Sequence, residues 1–378
     1  MTGSVRVLHI AETAHGGVGT YLNQVLPALV ADRDTAGAPL DIRVLLPAQD
    51  SFMLPRVDDA AITTWRRDGR SLWSLLMLAK ASWHAYRTVR PEIVHLHSTF
   101  AGMIVRPLLL LARVLPGRRP QVVYSPHGWA FQIAGSRGRR RAIIWLERTL
   151  ARITDRVIVL SDAEMRECVA LGFPPKRLQR IYNGISEAPP PALPAPEGWP
   201  DQRLKVLFIG RFDHQKGLDT LIAAARLAPD RIAVRCIGAS VVSGGPALDL
   251  PDNVAPLGWL DEPRIMAQLA MADVVAMPSR WEGFGLVAIE AMRAGRPVVA
   301  SRIGGLPEVV EEGVTGRLVP PDDPEALLAA LLADTPETRR TMAEAGRARF
   351  LAHFTARDSA RQVATLYRQL LGREAARS

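Results

Sequence analysis

The sequence predicts an α/β protein of two doubly wound domains, each built on a parallel sheet. Three observations carry this. Short β-branched apolar runs alternate with longer helical stretches through the first half, the pattern stops at a proline-rich segment, and it then restarts. A length of 378 residues suits two or three domains with ample core. A hydrophobic fraction of 48% beside a charged fraction of 22% excludes disordered and collagen-like chains.

Val5–Ala11 reads as a continuous apolar run, as a strand buried on both faces does. Ile42–Leu46, Ile93–Leu96, Val122–Tyr124, Val157–Leu160 and Arg180–Tyr182 follow as strands. Helical stretches near 18–31, 71–89, 101–115, 137–152 and 162–171 separate them, which calls for right-handed crossovers and a parallel sheet. Ala188–Pro200 holds six prolines in thirteen residues and forms neither helix nor central strand, so it is an extended linker. Leu204–Gly210 opens a second set of strands, continued by Ile232–Ile237, Val274–Met277, Pro297–Ala300 and Arg317–Val319. Helices near 323–333, 336–352 and 356–372 close the chain. The expected organisation is a first domain over 1–186, a linker over 187–203 and a second domain over 204–355. The segment 356–378 is a C-terminal helix that returns to the first domain. A ligand is expected at the carboxyl ends of the strands, in the cleft between the domains.

The charge is unevenly placed. Residues 1–186 hold 25 basic and 14 acidic side chains, whereas 187–378 hold 22 and 24. Eleven arginines fall in 100–156 against Glu147 and Asp155 alone. Arg106, Arg113, Arg118, Arg119, Arg137, Arg139, Arg140 and Arg141 beside apolar runs and Trp145 suit a helix lying in an anionic membrane interface. A solvated basic rim is the plainer alternative. Nucleic acid is not an expected partner, because aromatics are not interleaved at a stacking spacing. No secretory signal opens the chain and no apolar run reaches the roughly 20 residues of a bilayer span, so a cytoplasmic protein is expected. Cys168 and Cys236 stand alone, which excludes a disulfide framework and a zinc motif.

Three loops carry candidate chemistry. Gly16-Gly17-Val-Gly19 follows the first strand and opens a helix, where backbone N–H groups can approach a phosphate. The spacing is not that of the dinucleotide fingerprint, and a tight turn is the alternative. Gly210-Arg211-Phe-Asp-His-Gln-Lys216-Gly217 follows the first strand of the second domain, and its two cations suit a departing diphosphate. In Pro278-Ser-Arg-Trp-Glu282-Gly-Phe284-Gly285-Leu286-Val-Ala-Ile-Glu290, Glu282 lies in a loop and Glu290 about one and a half turns inside the following helix. The N–H groups from Phe284 to Val287 offer a further anion site, and the two carboxylates suit ribose and sugar hydroxyls. Asp32-Arg-Asp34 spells a metal-holding DxD, but it ends a helix rather than a buried strand, so no metal role is expected.

Glu282 and Glu290, Gly210-Arg211 with Lys216, Gly304-Gly305-Leu-Pro-Glu308, Gly313-Val-Thr-Gly316 and Asn183-Gly184-Ile185 together resemble family 4 of the retaining glycosyltransferases. The resemblance spans nearly the whole chain and is strongest over 204–320. It implies the GT-B fold, two Rossmann-like domains facing across a cleft, and sugar transfer from a nucleotide-sugar donor without a metal or other cofactor. It implies that Arg211 and Lys216 bind the donor diphosphate, that Glu290 holds the ribose, and that Glu282 sits by the sugar. Gly16 and Gly17 would present backbone to the donor, with Phe284, Gly285 and Leu286 beside them. His127, in Tyr124-Ser-Pro-His-Gly-Trp129, matches the histidine that touches the sugar near its reacting carbon. The first domain would hold a glycan or polyprenyl-linked acceptor. A sugar-nucleotide 2-epimerase and a non-catalytic sugar-nucleotide sensor stay open as alternatives.

Overall fold

A computed structural model describes residues 4–32, 39–69, 71–112, 119–132, 136–188, 193–194, 198–199, 202–240 and 249–372. The chain divides into two compact units. The first holds the residues up to Ser186 with those from Ala356 onward, and the second holds Glu187–Thr355.

The first unit is a seven-stranded parallel sheet. Its strands are β1 (Val5–Ala11), β2 (Leu40–Pro47), β3 (Ile62–Trp65), β4 (Ile93–His97), β5 (Gln121–Ser125), β6 (Arg156–Val159) and β7 (Leu178–Arg180). The helices between them are α1 (Gly17–Ala31), α2 (Leu72–Val89), α3 (Thr99–Leu111), α4 (Arg137–Ala151) and α5 (Asp162–Ala170). The strand order is β3-β2-β1-β4-β5-β6-β7, so the winding reverses between β1 and β4. Leu8, Ile10, Val94, Leu96 and Tyr124 pack one face of these strands into a continuous core with Trp129 and Phe131.

The second unit is a six-stranded parallel sheet in the order β10-β9-β8-β11-β12-β13. Its strands are β8 (Leu204–Ile209), β9 (Ile232–Ile237), β10 (Val254–Gly258), β11 (Val274–Met277), β12 (Val298–Ser301) and β13 (Gly316–Val319). Helices α6 (Leu218–Leu227), α7 (Glu262–Met271), α8 (Leu286–Arg293), α9 (Leu306–Val309), α10 (Pro324–Leu332) and α11 (Pro336–His353) complete it. The last helix, α12 (Ala356–Leu370), packs on α1 as part of the first unit. The reversal here falls between β8 and β11, and ligands of open α/β sheets bind outside the strand ends at such points.

Two strands escaped the sequence reading, and both lie at sheet edges. β3 is Ile-Thr-Thr-Trp with both threonines exposed, and β10 contains Pro256. Edge strands need not be apolar on both faces and tolerate proline, so neither shows a buried run. The strand expected at Arg180–Tyr182 lies two residues earlier, at Leu178–Arg180. Most of the proline segment, with Arg33, Asp34, Arg113 and Arg118, lies outside the described residues. Trp199 at its end is buried, with its indole N–H donating to Gln268 at 3.1 Å.

The basic patch needs one correction. Arg106, expected on the membrane-facing side, is 2% exposed. Its guanidinium pairs with Glu147 of α4 at 2.5 Å and sits 4.0 Å above the Tyr124 ring, while the Tyr124 hydroxyl donates to the same carboxylate at 3.1 Å. A buried carboxylate needs a cation and donors around it, so this arginine turns inward. Arg106→Leu is expected to cost about 3–5 kcal/mol by leaving Glu147 unpaired, and Arg106→Leu with Glu147→Leu to recover most of it. Urea midpoints of the single and double variants check this. By contrast Arg119, Arg137, Arg139, Arg140 and Arg141 are exposed, the last four in the opening turns of α4 with Trp145 exposed beyond them.

Candidate active site

In the second unit, three loops meet at the carboxyl ends of β8, β11 and β12. Lys216, in the loop after β8, places Nζ 2.5 Å from Oε2 of Glu282 in the loop after β11. The two expected partners of the donor therefore form an ion pair with each other, both mostly buried. Arg211 is half-exposed and held by Asp213 at 3.1 Å and Gln215 at 2.8 Å. Arg280, which the sequence reading passed over, fastens the two loops. It donates to the His214 carbonyl at 2.8 Å and forks onto Asp219 at 2.8 and 2.6 Å, while its own N–H donates to the Gln215 carbonyl.

Glycines allow this closeness. Gly217 has φ +66°, and a Cβ there would stand 2.0 Å from the carbonyl oxygen of Pro278. Gly217→Ala is therefore expected to cost about 1–3 kcal/mol and to push the Lys216 loop away from Glu282. Paired thermal melts and turnover assays should show both losses together. Gly304, at φ +50°, brings its segment against the Glu282 carbonyl in the same way, which gives Gly304-Gly305-Leu-Pro-Glu308 its place in the site.

Gly285 caps α8 without a side-chain bond, so the first N–H groups of that helix lack intrahelical acceptors. The side chain of Phe284 is buried against Phe354. Glu290 lies on α8, where desolvation pushes its carboxyl up to about 7, moderated by Arg293 and Lys216. A carboxyl poised there can donate or accept a hydrogen bond from a hydroxyl pair. A cavity of about 590 Å³ lies elsewhere, lined by Leu204, Asp273, Arg296 and Pro297. It opens at the amino ends of β8, β11 and β12, the wrong ends for these loops, so we do not assign the site there.

In the first unit the turn after β1 is pinned by buried Asp50, which accepts from the Ala14 N–H at 2.8 Å and Thr13 at 3.1 Å. Gly16, at φ +69°, caps α1 and Gly17 is its first residue, again with no side-chain cap. His127 follows β5 with φ +55°, a left-handed conformation uncommon outside glycine, and such outliers concentrate at functional sites. Its Nδ1 is buried with no hydrogen-bond partner among the described residues.

Behind His127 stand three more histidines, which no motif in the sequence singles out. His95 and His97 lie two apart on β4 and so share a sheet face, and His9 is the register partner of His95 on β1. The pattern His-Leu-His in a strand was the available signal. All three are fully buried, and desolvation lowers them together with His127, His9 to about 3 and His127 to about 4. Ring nitrogens of His9, His95 and His97 lie within 4.8 Å of one another, a donor set that suits a metal by residue type. The His9–His97 and His97–His127 nitrogens, however, are 2.9 Å apart, and His95 bonds Tyr367 and Ser125. Those are hydrogen-bond lengths with a proton between the atoms, so the lone pairs a metal would need are engaged.

Comparison with known proteins bears on the family and the fold. Residues 15–188 match the family described as Glycosyltransferase Family 4, and residues 191–349 match Glycosyl transferases group 1. The α-maltose-1-phosphate synthase of Mycolicibacterium smegmatis is 33% identical, over 94% of this chain and 96% of its own. A Klebsiella pneumoniae protein described as "Uncharacterized 41.2 kDa protein in cps region" is 33% identical over 83% of this chain and 86% of its own. Among solved structures, sucrose-phosphate synthase from Thermosynechococcus elongatus superposes with a TM-score of 0.79 at 26% identity, covering 98% of this chain and all of that one. Anabaena HepE, solved with UDP-glucose, has a TM-score of 0.76 at 21% identity, covering 96% and 99%. The protein is a glycosyltransferase of the GT-B fold. It belongs to glycosyltransferase family 4.

Proposed function

We propose that the protein moves a sugar, with retention, from a UDP- or GDP-linked donor to a glycan or polyprenyl-linked acceptor in cell-envelope or exopolysaccharide synthesis. The observation that carries this is the Lys216–Glu282 pair set beside the uncapped start of α8. On donor binding the diphosphate takes Lys216 and Arg211 as counter-charges, and the first N–H groups of α8 add to them. Gly16 and Gly17 offer the corresponding backbone from α1. Glu290 takes the ribose hydroxyls, and Glu282, released from Lys216, turns to the sugar.

As the bond from the anomeric carbon to the diphosphate breaks, negative charge grows on the leaving oxygen, and the two cations oppose it without a metal ion. The acceptor oxygen bonds to the anomeric carbon on the same face, and its proton passes to the departing phosphate. Nucleotide release from UDP- and GDP-sugars, measured with and without a lipid-linked acceptor, tests the reading. Release only with acceptor supports it, whereas isomerisation of the donor or binding without turnover overturns it.

Membrane contact rests on α4. Its opening turns carry Arg137, Arg139, Arg140 and Arg141 where the helix end is already positive, an arrangement relieved by an anionic surface at about 1 kcal/mol per basic residue. No helix among the described residues is long and apolar enough to cross a membrane, so the contact would be peripheral. Co-sedimentation with phosphatidylglycerol vesicles at low salt should fall when all four arginines are replaced by glutamine. Equal sedimentation would remove the membrane from this proposal.

A further inference from the structure

The buried histidines have a direction. A neutral imidazole carries one N–H and one bare nitrogen, so rings bonded through both nitrogens cannot choose tautomers independently. His127 Nε2 meets His97 Nδ1 at 2.9 Å, and His97 Nε2 meets His9 Nδ1 at 2.9 Å. His9 Nε2 then faces the Tyr367 hydroxyl at 3.5 Å, and that hydroxyl lies 2.6 Å from His95 Nδ1.

Tyr367 has a single proton to give. A phenol is a better donor than an imidazole, and an imidazole nitrogen a better acceptor than a phenol, so the proton goes along the 2.6 Å contact to His95. His95 passes its own Nε2–H to Ser125 at 2.8 Å. The phenol oxygen is left to accept from His9, which places the His9 proton on Nε2. Through the two 2.9 Å contacts the same choice is imposed on His97 and then on His127. The chain ends at His127 Nδ1, a bare nitrogen without a partner among the described residues.

We propose that His9, His97 and Tyr367 are positioning residues that hold His127 as the Nε2–H tautomer, so that its Nδ1 accepts from a hydroxyl of the sugar being transferred. The ligand half of this rests on the reading of His127 as the donor-sugar contact. The chain itself does not. Tyr367 comes from α12, so the last helix of the chain would set a hydrogen-bonding choice at the end of β5.

Long-range ¹H–¹⁵N spectra of the ¹⁵N-histidine-labelled full-length protein test it, with His127 assigned by its loss in His127→Asn. We expect a neutral His127 with a pyrrole-type Nε2 and a pyridine-type Nδ1, whose signal shifts when the turned-over donor, UDP-glucose or GDP-mannose, is added. His97→Leu should leave His127 a mixture of tautomers and lower kcat/KM about tenfold, the worth of one hydrogen bond, with UDP or GDP affinity unchanged. His97→Gln, whose amide both donates and accepts, should restore both. A proton on Nδ1 of His127 in the native protein overturns the proposal, and that observation needs no variant to fold. Stoichiometric metal in the purified protein overturns it as well. So does His97→Leu with unchanged His127 tautomer. If the tautomer is as expected but Nδ1 does not shift with donor, the chain stands and the sugar contact is lost.

Discussion

Lowering the pH from 7.5 to 5.5 is expected to weaken the first unit by about 5 kcal/mol and not to weaken the second. His9, His95 and His97 are fully buried, and loss of hydration holds these rings and His127 neutral when folded, with the nearby rings further disfavouring a proton on His95 and His97. Unfolded, each takes a proton near 6.5, so below that pH the unfolded chain binds more protons. Their contribution is therefore complete above about 6.5 and drains by about 1.4 kcal/mol per ring per pH unit as the pH falls. For His9 the loss continues down to about 3. At pH 5.5 the sum over the four rings, His127 included, depends only on the unfolded value, because the folded values lie well below it.

Glu290 has the opposite sign. Its folded value of about 7 is raised, so charging it opposes folding above the ordinary carboxylate range, and acid relieves the second unit by on the order of 1 kcal/mol. Amide hydrogen exchange, corrected for the intrinsic effect of pH, reads both units in one sample. Protection in β1 and β4 should fall steeply while protection in α8 holds or rises. Equal loss in both, or none in β1 and β4, would show that the histidines are not held neutral.

The second large effect is at the ion pair. Lys216→Ala is expected to lower kcat about 10²–10³-fold, the usual cost of removing one fixed charge from a developing anion. Nucleotide affinity should change much less, since Arg211 and the α8 backbone still meet the ground-state diphosphate. Steady-state kinetics beside calorimetric titration with UDP and GDP separate the two. Unchanged kcat in Lys216→Ala would remove Lys216 from the chemistry. Glu282→Gln should behave differently. Its loss frees Lys216 from a competitor at 2.5 Å, so nucleotide binding should strengthen even as turnover falls.

Much of this site was legible because its signals are local. Gly210-Arg211 and Lys216 follow a buried strand, and Gly285 marks the start of a helix that carries Glu290 inward. A glycine turn, a helix start and a strand end are each decided within a few residues. Their electrostatic state was not legible. Nothing in the two motifs says that Lys216 and Glu282, 66 residues apart, pair with each other, or that Arg280 clasps both loops.

The sequence by itself determined the two α/β halves, the loops at their strand ends and the residue types those loops present, since periodicity and turn chemistry act over short distances. Tertiary structure alone decided which side chains are withdrawn from water and what they meet there. Arg106 left the surface because Glu147, 41 residues on, needed a cation. His9 and His97 are joined across 88 residues, and His95 and Tyr367 across 272. Burial and hydrogen-bond partnership are set by packing between distant segments, and a reading confined to neighbouring residues does not reach them.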